Sequence, residues 1–73
     1  MPFEHDVSLV TRALELLRGG KIPVRRRDRV NDLINDLREE SRLANGPLKD
    51  RSEHWRQRAL VTQRTLRQEL EEC

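Results

Sequence analysis

The sequence predicts an all-α domain: a small three-helix arrangement with a short first helix, two longer ones and a frayed C-terminal end. Three observations carry that expectation. Apolar residues recur at intervals of three and four over most of the chain, and glycines fall between those periodic stretches. The 25 apolar residues include eleven leucines but only two aromatics, Phe3 and Trp55. Such a supply builds leucine and valine stripes on helices, and it is too thin to enclose a substrate pocket of roughly a few hundred Å³. Seventy-three residues make one domain, 1–73, with 1–5 and 68–73 expected as flexible ends. A core of this size rarely nets more than ~3–5 kcal/mol, so a partner is expected to supply stability.

The first helix begins after Asp6, whose carboxylate can accept the free amides of a first turn. Val7, Val10, Ala13, Leu14 and Leu17 then form one stripe, with Leu9 and Leu16 widening it. Gly19-Gly20 ends it, because glycine enters the left-handed region that closes a helix without a Cβ penalty. Lys21-Ile22-Pro23 is a tight link, and the proline suits the first turn of a second helix.

The second helix is expected from about Pro23 or Arg25 to about Leu43, with Val30, Leu33, Ile34, Leu37, Ser41 and Ala44 as its stripe. Asp32 and Asp36 repel across one turn, so tertiary packing has to hold that segment. Asn45-Gly46-Pro47 is the strongest punctuation in the chain, a C-cap glycine and then a residue that cannot continue a helix. A third helix comes next, with Asp50 and Glu53 at a capping-box spacing. Leu48, Ser52, Trp55, Ala59, Thr62 and Leu66 make its seam, while Leu60 and Leu70 fall to one side and residues 68–73 are expected to fray.

Function is to be sought in charge. There are thirteen arginines against two lysines, and the formal net charge is only +2. Residues 21–29 hold Lys21, Arg25, Arg26, Arg27 and Arg29 against Asp28, and residues 49–67 hold a second basic block; the end then turns acidic at Glu69, Glu71 and Glu72. Blocks of one sign on a nearly balanced chain suit docking onto a shaped anionic surface better than general coating of nucleic acid. Guanidinium groups grip carboxylates and phosphates through a planar fork. Arg25, Arg26, Arg27 and Arg29 are the first candidates, because they gather positive charge at a helix N-terminus that its own dipole already makes positive. The bland alternative is a solvated basic turn relieved by Asp28. Arg51 and Arg58, seven residues apart and co-facial, are weaker candidates, since long helices often carry such charge for solubility.

Trp55 reads as packing, because it lies on the seam and a lone tryptophan supplies much of a thin core. Phe3 is open between a staple-like cover of the first helix and, with Val7, part of a recognition segment for a partner. His5 and His54 have no companions at a ligand spacing, so neither metal nor cofactor is expected. No nucleophile–base pair, phosphate loop or separated acid pair can be assembled, which argues against an enzyme and against a small-molecule substrate. Cys73 is the only cysteine, which leaves no internal disulfide. The absence of any long apolar run predicts neither a signal peptide nor a membrane span, with a reducing cytoplasm as the default. A helix-turn-helix is rejected, because the helices flanking Asn45-Gly46 are too long and the arginine block lies at the far end.

Met1-Pro2-Phe3-Glu4-His5-Asp6-Val7, together with the Arg25–Arg29 block in a chain of this length, resembles the small transcription regulators of tailed bacteriophages that infect Xanthomonas. The resemblance covers the full chain but rests on no short motif, so it assigns no site residues. It implies binding to the bacterial host RNA polymerase, inhibition of initiation at host promoters and read-through at terminators, with nascent RNA nearby. The alternatives are a small arginine-rich helical protein that binds DNA or RNA directly, and a helix that self-associates through the Leu48–Leu66 seam.

Overall fold

The computed structural model describes residues 3–46 and 49–72, with side chains described over 3–46 and 51–72. Among these residues there are three helices, α1 (Val7–Arg18), α2 (Val24–Ala44) and α3 (Lys49–Glu71). α2 and α3 form an antiparallel hairpin: Arg26 pairs with Glu72, Arg29 with Glu69, and Glu40 approaches Arg58. Each advance along α2 is matched by an equal retreat along α3, so the charged pairs hold one register. α1 packs across this hairpin, from Asp6 at Gln63 and Arg67 of α3 to its last turn at Arg27 of α2. The body is elongated, 39 × 18 × 16 Å, as two helices of more than twenty residues require at 1.5 Å rise per residue.

The local rules explain the helix ends. The Leu9 amide donates to Asp6 Oδ1 at 3.1 Å, the expected N-cap. At the other end of α1, Lys21 N–H reaches Leu16 O at 3.0 Å and Gly20 N–H reaches Leu17 O at 3.3 Å. Those two bonds with Gly20 at φ 67° are the Schellman closure. Ile22 then turns inward and is 2% exposed, so the short link is also a core plug. Pro23 stands at the N-cap of α2. Gly46 departs from expectation, because Gly20 is the one positive-φ glycine among the described residues. α2 closes instead through tightened backbone bonds, Asn45 N–H to Ser41 O and Arg42 O and Gly46 N–H to Leu43 O. Pro47, Leu48, Cys73 and the Asp50 side chain lie outside the described residues; the α3 backbone is already helical at Lys49, which places Asp50 within the first turn rather than before it.

The core joins Leu9, Val10 and Ala13 of α1, Ile22 of the link, Val30, Ile34 and Leu37 of α2, and Ala59, Leu66 and Leu70 of α3. The α2 stripe is as the sequence indicates. Three other expectations are corrected. Val7 is 63% exposed whereas Leu9 is buried, because α1 sits between two helices and turns Leu9 and Leu16 toward them as well as Val10 and Leu17. Leu70, expected to one side of the α3 seam, is 5% exposed and packs into the core. Trp55 is half-buried with its ring edge-to-face on His54 at 5.1 Å. It lies toward the hairpin tip and is not among the residues of the core cluster or those packed against it, a correction to its reading as core packing.

Candidate partner-binding surface

The arginine block is brought together by the first turns of α2, and the hairpin places it beside the last turn of α3. Arg29 Nε donates to Glu69 Oε1 at 2.7 Å. Arg26 Nη2 donates to Glu72 Oε2 at 3.3 Å, and its Nη1 stands 4.0 Å from Glu69 Oε2. Arg27 Nη2 donates to the Leu17 carbonyl at 3.2 Å, so it caps the C-terminus of α1, where a cation is favoured by the helix dipole. Arg25 is exposed and pairs with no acid among the described residues. Three of the four arginines therefore serve the fold as well as any partner.

Phe3, His5 and Asp6 are tied by hydrogen bonds to Asn45, Ser41 and Gln63. Asn45 works as a two-sided clip, accepting from Phe3 N–H at 2.6 Å and donating to Phe3 O at 2.7 Å. His5 Nδ1 and Ser41 Oγ are 3.0 Å apart. Asp6 N–H donates to Gln63 Oε1 at 2.8 Å, and its carboxylate meets Arg67 at 3.3 Å. Phe3 is partly buried and packs against the core. Val7, beside these residues, presents its side chain outward.

Arg51 and Arg58 are exposed, but they do not join the first block. Arg51 stands near the start of α3, and Arg29 meets Glu69 near its end, so the two basic sites lie roughly 27 Å apart at 1.5 Å per residue. Arg58 leans toward Glu40, Nε to Oε2 4.0 Å.

Sequence reasoning missed the Glu40 site. This carboxylate is 7% exposed and accepts from Thr62 Oγ1 at 2.7 Å, while its second oxygen is buried without a hydrogen bond. The available signal was its distance of one heptad from Leu33, which puts it on the flank of the α2 stripe. Elsewhere on α2, Glu39 is bound by the Arg42 guanidinium one turn on. That hydrogen bond holds the Glu39 carboxyl below the usual glutamate range, and Glu39 in turn raises Arg42.

Between α1 and α3 lies an open cleft of about 260 Å³, lined by Asp6, Ser8, Leu9, Arg12, Arg67, Leu70 and Glu71. Among the described residues, no cluster of three His, Cys, Asp or Glu is placed to hold a metal ion, and no helix is long and apolar enough to cross a membrane. No protein-family model, curated protein or solved structure matches this chain.

Proposed function

We propose that this chain is a phage-encoded transcription regulator that attaches to the host RNA polymerase, inhibits initiation at host promoters and promotes terminator read-through. The reading is carried by the resemblance through residues 1–7 and the Arg25–Arg29 block. Its structural support is the exposure of Arg25 and Val7 beside elements tied by internal bonds, the α2 start and the lead-in. A partner contact on such elements loses little conformational entropy on docking.

The test is retention of polymerase subunits from a nuclease-treated bacterial lysate by the immobilised protein. Stoichiometric recovery is expected, and recovery reduced by Arg25→Glu or Val7→Asp assigns the corresponding surface. These two positions have no internal partner to lose, so their variants keep the fold. Loss of binding of about tenfold or more marks a desolvated contact, and a change below about threefold marks a wet rim.

Direct binding to DNA or RNA is the second reading, favoured by the exposed arginines Arg51, Arg58 and Arg64 along α3. It requires affinity for naked nucleic acid that falls steeply with salt, because each neutralised phosphate releases counterions. No polymerase recovered, together with that salt dependence, would replace the first reading by the second.

A further inference from the structure

We infer that the last turn of α3 is a built-in pseudo-ligand of the arginine block, an autoinhibitory clasp in which Glu69 and Glu72 occupy Arg26 and Arg29 until an acidic protein segment displaces them. This rests on the reading that the block is a partner contact, but not on which protein the partner is.

Both sides of the clasp have the wrong sign for their own helix. Arg25, Arg26, Arg27 and Arg29 crowd the positive N-terminal end of α2, and Glu69, Glu71 and Glu72 crowd the negative C-terminal end of α3. Each set is destabilising where it stands alone, and each becomes favourable when the antiparallel hairpin lays one on the other. The contact is graded rather than locked. The Glu69 side chain is 16% exposed and Arg29 61%, Glu72 is 52% exposed, and Arg26 Nη1 is buried with no hydrogen-bond partner. Exposed pairs of this kind exchange readily for another carboxylate, and their strength falls with salt.

The present occupant defines the chemistry of the replacement. Two carboxylates three residues apart on one helix face, with a leucine beside them, fill the site now. A protein helix or turn bearing carboxylates at that spacing satisfies the same guanidinium groups. Displacement loosens the last turn, which Leu70 also anchors in the core, so occupancy of the arginines and docking of the α3 end are coupled. An acidic partner thereby gains the arginines and exposes the apolar floor of the α1–α3 cleft in one step.

The experiment is a titration of the full chain with poly-L-glutamate, monitored by binding and by amide hydrogen exchange. In the wild-type protein, saturation should speed exchange at residues 69–72 while leaving 59–66 protected. Removing the internal carboxylates with Glu69→Gln/Glu72→Gln should tighten poly-L-glutamate binding on the order of tenfold, and adding Arg26→Gln/Arg29→Gln should abolish the gain. Should the first variant lose helicity by circular dichroism, the wild-type exchange result decides alone. Unchanged exchange at 69–72 under saturation, or a gain that survives loss of both arginines, overturns the clasp. A single-stranded RNA that releases the turn where poly-L-glutamate does not would overturn the acidic-protein partner. Polymerase recovery from lysate is independent of all these outcomes, so failure of the clasp and failure of the transcription reading are separable.

Discussion

Glu40 shows how much one residue can set in a thin core. Its carboxylate lies between α2 and α3 with a single hydrogen bond, from Thr62, and Arg58 at 4.0 Å is too far to bond it. Thr62→Val keeps shape and removes only that donor. The loss should be about 1–3 kcal/mol, the range for stranding a buried polar group, and urea denaturation measures it. The double variant Thr62→Val/Glu40→Leu should recover most of the loss, since replacing both partners with apolar groups leaves nothing unsatisfied. No recovery would mean that Arg58, and not Thr62, sustains the carboxylate. Glu39, its neighbour in sequence, is a contrasting case. Arg42 lowers its folded-state pKa, so any stability from this pair is present above the unfolded glutamate pKa and is lost as pH falls through the lowered one. The pair is fully solvated, and its expected effect is on titration rather than on stability. A carboxyl NMR titration should place Glu39 below ordinary glutamates in the wild type and return it to their range in Arg42→Gln, with unchanged denaturation midpoints at neutral pH.

At the scale of elements, the sequence marks where helices exist better than how they are rotated. The α2 stripe was legible because Val30, Ile34, Leu37, Ser41 and Ala44 alternate intervals of four and three, and all five are buried. The rotation of α1 was not, because a helix packed across a hairpin has two apolar neighbours and its stripe is wider than either one. Val7 and Leu9 exchanged roles for that reason. Leu70 was misplaced because its neighbours Glu69, Glu71 and Glu72 read as a solvated end, and the arginines that receive Glu69 and Glu72 lie forty residues or more away in sequence. The candidate arginine block was legible as a cluster, but its internal acid partners were not, since only the hairpin register brings them together. End signals divide the same way. Gly20 is required by φ 67°, with open space around a Cβ built there, so Gly20→Ala meets backbone strain alone. The expected loss is about 1 kcal/mol, the left-handed penalty less the entropy alanine removes from the unfolded chain. A thermal or urea melt of that variant checks it, and an unchanged midpoint would show that the closure of α1 tolerates a right-handed turn.

Across the whole molecule, the short α2–α3 connection sets the direction of the hairpin, and charge order selects the register that apolar residues alone leave open. α2 ends at Ala44 and α3 begins at Lys49. So short a connection cannot run back along the ~30 Å length of α2. The two helices must be antiparallel neighbours, and only their axial register is left open. The charges are not symmetric. α2 is basic at its start and carries acidic Glu40 later, whereas α3 carries Arg58 early and is acidic at its end. In this register Arg26, Arg29 and Arg58 stand at Glu72, Glu69 and Glu40, and a slip along the seam would give up all three pairs. Antiparallel dipoles favour the same arrangement by placing the negative end of α3 at the positive end of α2. The Arg29–Glu69 pair at 2.7 Å is the best point to test this. Arg29→Glu and Glu69→Arg should each destabilise the protein by up to ~1 kcal/mol, and the double reversal should regain most of the sum. Because the arginine is largely exposed, the coupling should shrink by roughly half or more in 1 M salt, where the screening length is about 3 Å. Denaturation midpoints of the four proteins at low and high salt give the coupling directly. A value near zero at low salt would leave the apolar seam as the source of the register, and the matched signs of the two helix ends would then belong to partner recognition alone.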